Sequence, residues 1–381
     1  MNLNLSDEQE FLRDAAAQAL SRFKTVEAAR EALEDPSALP DLWPTAVEAG
    51  WPGLLVSEEN GGARLGMYDA VLIAQEAGKV LAGTPLLGVL PAALLLDRGG
   101  YARIEDVASG EVRAAWLPAR PPGGHTGTWT VDPLSGMTRG DAPSAQVAGD
   151  AVTLTGSVHW APDAGEAELL VVIGVGADGS PVAAAVDASA AGVSVEPTWR
   201  YDATRRLGNV TLDGAVGARL DVSADDIAAA WYLVQVLIAA ESVGACETAL
   251  EVSLAYAKER FTFGRAIGSY QAIKHALVEV LRRTENAKAL LIYAGFAFAD
   301  FPDEFPYAAS AARSVAGAAL DFSARELIAV HGGIGATWEH DAPLTFRRAQ
   351  LSRRLVGGTA DATDRVADEL LQGRGPQAHA A

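Results

Sequence analysis

One stretch, Ile227 to Gly268, limits what this chain can fold into more than any other. It reads as a single long, alanine-rich helix that closes in Lys258-Glu259-Arg260-Phe261-Thr262-Phe263-Gly264-Arg265-Ala266-Ile267-Gly268. Ser223, with Asp226 three residues on, gives the start signal in which each side chain bonds the other's backbone N–H, and acids in the first turn suit the helix dipole. From Trp231 to Cys246 the one ionisable side chain of consequence is Glu241. Counting by threes and fours from Val234 through Leu237 and Ile238 reaches Glu241, then Ala245, Thr248 and Val252, so this carboxylate falls on the stripe that faces the core. Two readings of it stand side by side. Isolated among apolar neighbours, it would be prepared as a general base; alternatively it pairs with an Arg or Lys of the adjoining helix.

The flanking chain changes texture twice. Ser6 and Gln9 open a helix through about Phe23, and helical patterns follow over Thr25–Leu33, Pro40–Ala49, Met67–Leu81 and Leu86–Asp97. This first block, residues 1–110, is all helical. From Glu111 to Asp221, short β-type runs lie between Gly, Pro, Asp and Ser clusters: 113–117, 145–148, 152–160, 169–173, 182–186, 193–197 and 209–212. Such spacing without intervening helices predicts an antiparallel barrel or sandwich. Residues 222–381 return to long helices, from Tyr270 to Ala299, Tyr307 to Val330, Asp341 to Leu355 and Asp361 to Leu371; with the first these five read as an antiparallel bundle, expected to be of the four-helix type. The expected class is therefore α+β in three domains, with a frayed tail from Gln372 to Ala381.

Composition removes several alternatives. A net charge of −19 argues against nucleic-acid binding and against attachment to anionic membrane. One cysteine, Cys246, cannot form an intramolecular disulfide and suits a reducing cytoplasm; within the apolar helix it reads as core filler. The amino terminus lacks a secretory pattern, and the apolar run Leu86–Leu96 is too short to cross a bilayer. Six histidines lie singly, without metal-ligand spacing.

Several segments together resemble the acyl-CoA dehydrogenase flavoprotein superfamily, over nearly the whole chain. Leu5-Ser6-Asp7-Glu8-Gln9 is similar to its opening helix, and Ala49-Gly50-Trp51-Pro52-Gly53 with Glu58-Glu59-Asn60-Gly61-Gly62 to its Gly-Trp…Pro-Glu-x-x-Gly-Gly segment. Most specific is Arg260-x-x-Phe263-Gly264-x-x-Ile267-x-x-x-Gln271, followed by the turn His331-Gly332-Gly333-Ile334-Gly335 and by Arg347-Arg348. The resemblance implies FAD bound across a subunit junction. Arg260 would meet the pyrophosphate of the neighbour's flavin, for which a permanently charged fork is suited. Thr262, Phe263 and Gln271 would line the same region, Trp160 would lie against the isoalloxazine, and Gly332 and Gly333 would admit the adenosine half. Taken singly, Arg260 reads as a helix-end charge, Trp160 as barrel core and the glycines as a C-cap.

The departures from the family pattern are as informative. Many relatives carry a catalytic glutamate in Tyr-Glu-Gly-Thr, where this chain has Val356-Gly357-Gly358-Thr359; Thr359 is retained and could still reach the cofactor. Other relatives place the base near Val234, about 10 Å along the helix from Glu241. The Thr-Glu-x-x-x-Gly-Ser-Asp loop is replaced near Leu117–Pro121, and Ala329 stands where a glutamine is usual. One half of the flavin site is thus kept and the other depleted, as in heteromeric members that act on bulky acyl-CoA thioesters, including steroid side chains.

The implied reaction is α,β-dehydrogenation. A carboxylate, with Glu241 as the candidate, takes the α-proton while the β-carbon passes hydride to the flavin. The implied partners are an acyl-CoA substrate, an electron-transfer flavoprotein, and a homotetramer or an α2β2 heterotetramer. Three other functions remain open: a non-catalytic partner subunit, an acyl-carrier-protein dehydrogenase, and a flavin monooxygenase.

Overall fold

In the computed structural model, which describes residues 4–118, 121–122, 130–132, 137–138, 142–199 and 201–376, both capping boxes form as the residues require. Ser6 and Gln9 close one at the start of α1 (Asp7–Ser21), and Ser223 and Asp226 close the other. The amino-terminal helices continue as α2 (Thr25–Glu31), α3 (Trp43–Glu48), α4 (Met67–Lys79), α5 (Leu86–Arg98) and α6 (Ile104–Ala108). Strands follow: β1 (Ala114–Leu117), β2 (Thr130–Asp132), β3 (Met137–Thr138), β4 (Ser144–Ala148), β5 (Ala151–Pro162), β6 (Leu169–Val175), β7 (Pro181–Asp187), β8 (Val193–Thr198) and β9 (Leu207–Arg219). The chain then runs through α7 (Ala224–Glu259), the short hairpin β10 (Phe261–Thr262) and β11 (Arg265–Ala266), α8 (Gln271–Asp300), α9 (Phe305–His331), α10 (Ala342–Ser352) and α11 (Gly358–Leu371). The order is helical, β-rich, helical.

The sheet is mixed rather than antiparallel throughout, because β1 and β4 both pair with β6 in parallel. Its pairings β6–β4, β4–β5, β5–β9, β9–β7 and β7–β6 close a ring around a small apolar interior that includes Val152, Leu154, Val172 and Val210, with β1 and β8 attached outside it. The β2–β3 ribbon had no strong signal in the sequence. Part of the loop expected around Pro118–Gly124, and the last five residues of the tail, lie outside the described residues.

Helix α7 is the axis of the molecule. It packs against α4, α5, α8 and α9, and one apolar core runs from the amino-terminal helices through it to α9, α10 and the segment just before α11. Among the described residues it is the one helix long and apolar enough to cross a membrane, yet 89% of its most apolar window is buried inside the protein. Burial also pushes the Cys246 thiol up to about 12, which leaves it an inert core group.

The crossing of α4 and α7 depends on missing side chains. A Cβ on Gly244 would sit 2.0 Å from the Gln75 carbonyl oxygen, and one on Gly78 would sit 2.1 Å from that of Glu241. Gly244→Ala is expected to push the two helices apart and to destabilise the fold by about 1–3 kcal/mol or more, read as a lowered denaturation midpoint.

Candidate functional site

The long helix stops at Glu259, earlier than Gly268, and the reason is the turn that follows. Arg260 leaves the helix in extended conformation while its N–H still bonds the Tyr256 carbonyl at 2.9 Å. Thr262 pairs with Arg265 across a two-residue turn in which Phe263 (φ 50°) and Gly264 (φ 78°) are both left-handed, the geometry of a tight hairpin. Tyr270 braces it: its hydroxyl donates to the Thr262 carbonyl at 3.1 Å, and the Arg265 guanidinium lies 4.0 Å over its ring. The hairpin projects outward, leaving Phe263 95% exposed. Arg260, Thr262 and Gln271 are exposed with it. Among the described residues the Arg260 guanidinium has no hydrogen bond or ion pair.

The glycine turn joins this edge from the far end of α9. Gly332 takes φ 65° and ψ −137°, a conformation that only glycine adopts readily, and caps the helix through the Ile328 and Ala329 carbonyls. A side chain built on Gly332 or Gly333 would meet nothing within 4 Å, so both backbones are open. Ala257, Leu277 and Val330 form a small cluster with Tyr256, Ile267 and Ile273, which holds the two helix ends together. Six of the expected residues (Arg260, Thr262, Phe263, Gln271, Gly332 and Gly333) therefore lie at one end of the helical layer. Permanent charge, an exposed aromatic and open amides fit the diphosphate and adenosine end of a dinucleotide.

The other expected residues are elsewhere. Trp160 sits at a register shift of β5, with φ 56° and its N–H bonded to Asn209 Oδ1 at 3.2 Å, and its ring is buried in the main core at 1% exposure. Thr359 is half-buried in the first turn of α11; its methyl packs where a Gly317 side chain would be, 2.1 Å from that Cβ position. Glu241 is about 28 Å along α7 from Arg260.

Glu241 is not isolated among apolar neighbours, because it belongs to a buried ion-pair network. Its exposure is 2%, Oε2 takes a hydrogen bond from Arg205 Nη2, and Arg348 Nη1 lies 3.8 Å away. Arg348 also donates to Asp202 at 2.9 Å and to the Leu81 carbonyl at 2.9 Å. Arg313 lies behind, bonded to Gln235 at 3.1 Å, and burial pushes its guanidinium down to about 9. Both Glu241 oxygens accept from Arg205, so the geometry is that of a buried ion pair, with the guanidinium supplied by the loop before β9 rather than by an adjoining helix.

Arg205, Asp202 and Arg313 were not singled out from the sequence. Arg313, a lone cation inside the alanine-rich run Ala308–Leu320, was the readable signal among them.

The segment where relatives carry a glutamate has a backbone suited to glycine. Val356, Gly357 and Gly358 all have positive φ. A Cβ on Gly357 would lie 2.9 Å from Asp361 Oδ2 and 3.0 Å from Trp231 Cζ2. Trp231 is itself buried edge-on against Trp116, with ring centres 6.1 Å apart.

One further buried acid, Asp163, lies three residues beyond Trp160. It is left-handed (φ 61°) and accepts from the Gly88 N–H at 2.8 Å. Burial pushes its carboxyl up to about 7, against the opposing pull of Arg113. The folded protein thus keeps a proton that the unfolded chain releases near pH 4. Because the folded state binds more protons across that window, stability from this group falls as pH rises from about 4 to 7. Asp163→Asn keeps the oxygen for Gly88 and tolerates the left-handed backbone. It is expected to raise stability at pH 8 by about 2–4 kcal/mol and to change it little at pH 4, as measured by urea unfolding.

Known proteins share this architecture. Residues 6–120 match the family model for the acyl-CoA dehydrogenase N-terminal domain, and residues 233–371 match that for the C-terminal domain. The chain is 31% identical over 370 residues to acyl-CoA dehydrogenase IpdE2 of Mycolicibacterium smegmatis, covering 96% of this chain and 100% of that protein. FadE34 of Mycobacterium tuberculosis is 31% identical over 308 residues, 81% of this chain and 39% of that one. Among solved structures, the Tcur3481-Tcur3483 steroid ACAD superposes with TM-score 0.83 at 27% identity, covering 96% of this chain and 98% of that one. The ChsE4-ChsE5 complex from Mycobacterium tuberculosis shares the fold with TM-score 0.81 at 21% identity, covering 99% of this chain and 100% of that one. On this similarity along its full length, the chain belongs to the acyl-CoA dehydrogenase family, FAD-dependent oxidoreductases that act on CH–CH groups.

Proposed function

We propose that this chain works in the α,β-dehydrogenation of a bulky acyl thioester as one of two kinds of subunit in an α2β2 assembly. It lends Arg260, Thr262, Phe263, Gln271, Gly332 and Gly333 to a flavin whose ring side and catalytic base belong to a related neighbour. When bound, that flavin accepts the hydride, and this chain's part is to hold the diphosphate and adenosine end. Trp160 and Thr359, turned inward, serve this chain's own packing, and Glu241 ties α7 to the segments carrying Arg205 and Arg348. The blocks 1–110, 111–221 and 222–381 are its domains, it acts in the cytoplasm, and an electron-transfer flavoprotein collects the electrons.

The observation that carries this reading is Gly357. The chain carries no side chain there, and a Cβ at that left-handed position would crowd Trp231 and Asp361. Likeness to a steroid ACAD whose name pairs two components supports both the assembly and the bulky acyl group, and likeness to IpdE2 along its full length supports the acyl-CoA dehydrogenase reaction.

The visible spectrum tests it. The chain purified alone is expected to be colourless, and co-expressed with its related subunit to carry one FAD per unlike pair, bleached by acyl-CoA. Stoichiometric FAD with full turnover from the chain alone would overturn the reading.

A further inference from the structure

The two parts of the exposed edge come from distant segments, and one aromatic stack connects them. Tyr256 lies one turn before Arg260, and His331 immediately precedes Gly332; their rings stack with centres 4.3 Å apart and planes 29° apart. His340, from the segment leading into α10, packs on His331 at 4.2 Å.

Hydrogen bonds fix the proton positions of both imidazoles. His331 Nδ1 lies 2.7 Å from the Leu327 carbonyl oxygen, which can only accept, so that nitrogen carries a proton. His340 Nδ1 lies 3.1 Å from the Ala342 N–H, which can only donate, so that nitrogen is bare. His331 is buried, and its Cβ would lie 2.8 Å from a side chain built on Gly335, so the ring and the turn after it are packed as one unit.

We propose that His331 is a positioning residue for cofactor capture: through its stack on Tyr256 it sets the spacing between the Arg260 guanidinium and the open Gly332–Gly333 backbone, so that both can grip one dinucleotide. This rests on the reading that the edge receives the flavin nucleotide. His331 itself is buried behind the turn, so its part is to hold the turn. What it supplies is preorganisation, since a turn already held in place costs less to order on binding. The contribution belongs to the ring face rather than to the imidazole nitrogens, which separates it from a proton-transfer role.

The test uses the complex of this chain with its related subunit, stripped of flavin and titrated with FAD. His331→Ala and, from the other side of the stack, Tyr256→Leu are expected to weaken FAD binding about tenfold. His331→Phe and Tyr256→Phe, which keep a ring at the same place, are expected to stay within about threefold of the parent. Thermal unfolding of each flavin-free complex identifies any variant whose loss comes from misfolding, and the other side of the stack then decides. Unaltered FAD affinity in the Ala and Leu variants, or equal losses in the ring-retaining ones, would overturn the inference. A parent complex that takes up no FAD would overturn the reading beneath it instead, and the inference with it.

Discussion

Replacing Glu241 by glutamine is expected to lower the unfolding free energy by about 3–5 kcal/mol, whatever it does to turnover. The reason is a count of buried charges. Arg205, Arg313 and Arg348 face Glu241 and Asp202, so cations already outnumber carboxylates. Removing one carboxylate leaves Arg205 with Asp202 at 4.0 Å as its remaining acidic partner. Water cannot reach the group, and an uncompensated buried guanidinium is costly. Chemical denaturation of the purified variant measures the loss. A double replacement of Glu241 and Arg205 by apolar residues of similar volume is expected to cost less than Glu241→Gln alone, because no charge is left behind. A general base behaves differently: its glutamine variant keeps full stability and loses turnover. Unchanged denaturation with collapsed turnover would return Glu241 to the chemistry.

Arg260→Ala is expected to produce the opposite separation. Its guanidinium has no partner among the described residues and lies in solvent, so stability should change by less than about 0.5 kcal/mol. Flavin capture by the assembled complex should nevertheless fall about a hundredfold or more, since charge-assisted bonds to phosphate contribute about 1.5–3 kcal/mol each and arginine makes two. Arg260→Lys keeps the charge but not the fork and should lie between. FAD titration of the flavin-free complex reads all three. An Arg260→Ala complex that binds FAD like its parent would show that the edge is not the cofactor site.

These variants also mark where sequence reading succeeded. The capping boxes at Ser6 and Ser223 were legible because both partners lie within four residues of each other. The Gly332 cap was visible for the same reason, since its conformation is set by the residue that occupies it, whereas the Phe263-Gly264 hairpin was read as the end of the long helix. The strands of the β-rich part fell within a few residues of where their β-type runs lie, but the parallel pairing of β1 with β6 did not follow from any local pattern. Their residues are paired across an interval of more than fifty positions, Ala114 with Leu169.

The amino-acid sequence by itself determined the helical, β-rich, helical order, the core role of the long helix, and the arginine-and-glycine set that a dinucleotide would require. Periodicity, caps and turns act over a few residues, so one strand of text contains them. Only the tertiary structure gave Glu241 its partners, because Arg205 reaches it from the loop between two strands and Arg348 from a helix far along the chain. It also brought Trp231, from another helix, to 3.0 Å from where a Cβ on Gly357 would stand. Charge pairing and excluded volume depend on distance in space, which spacing along a chain does not encode.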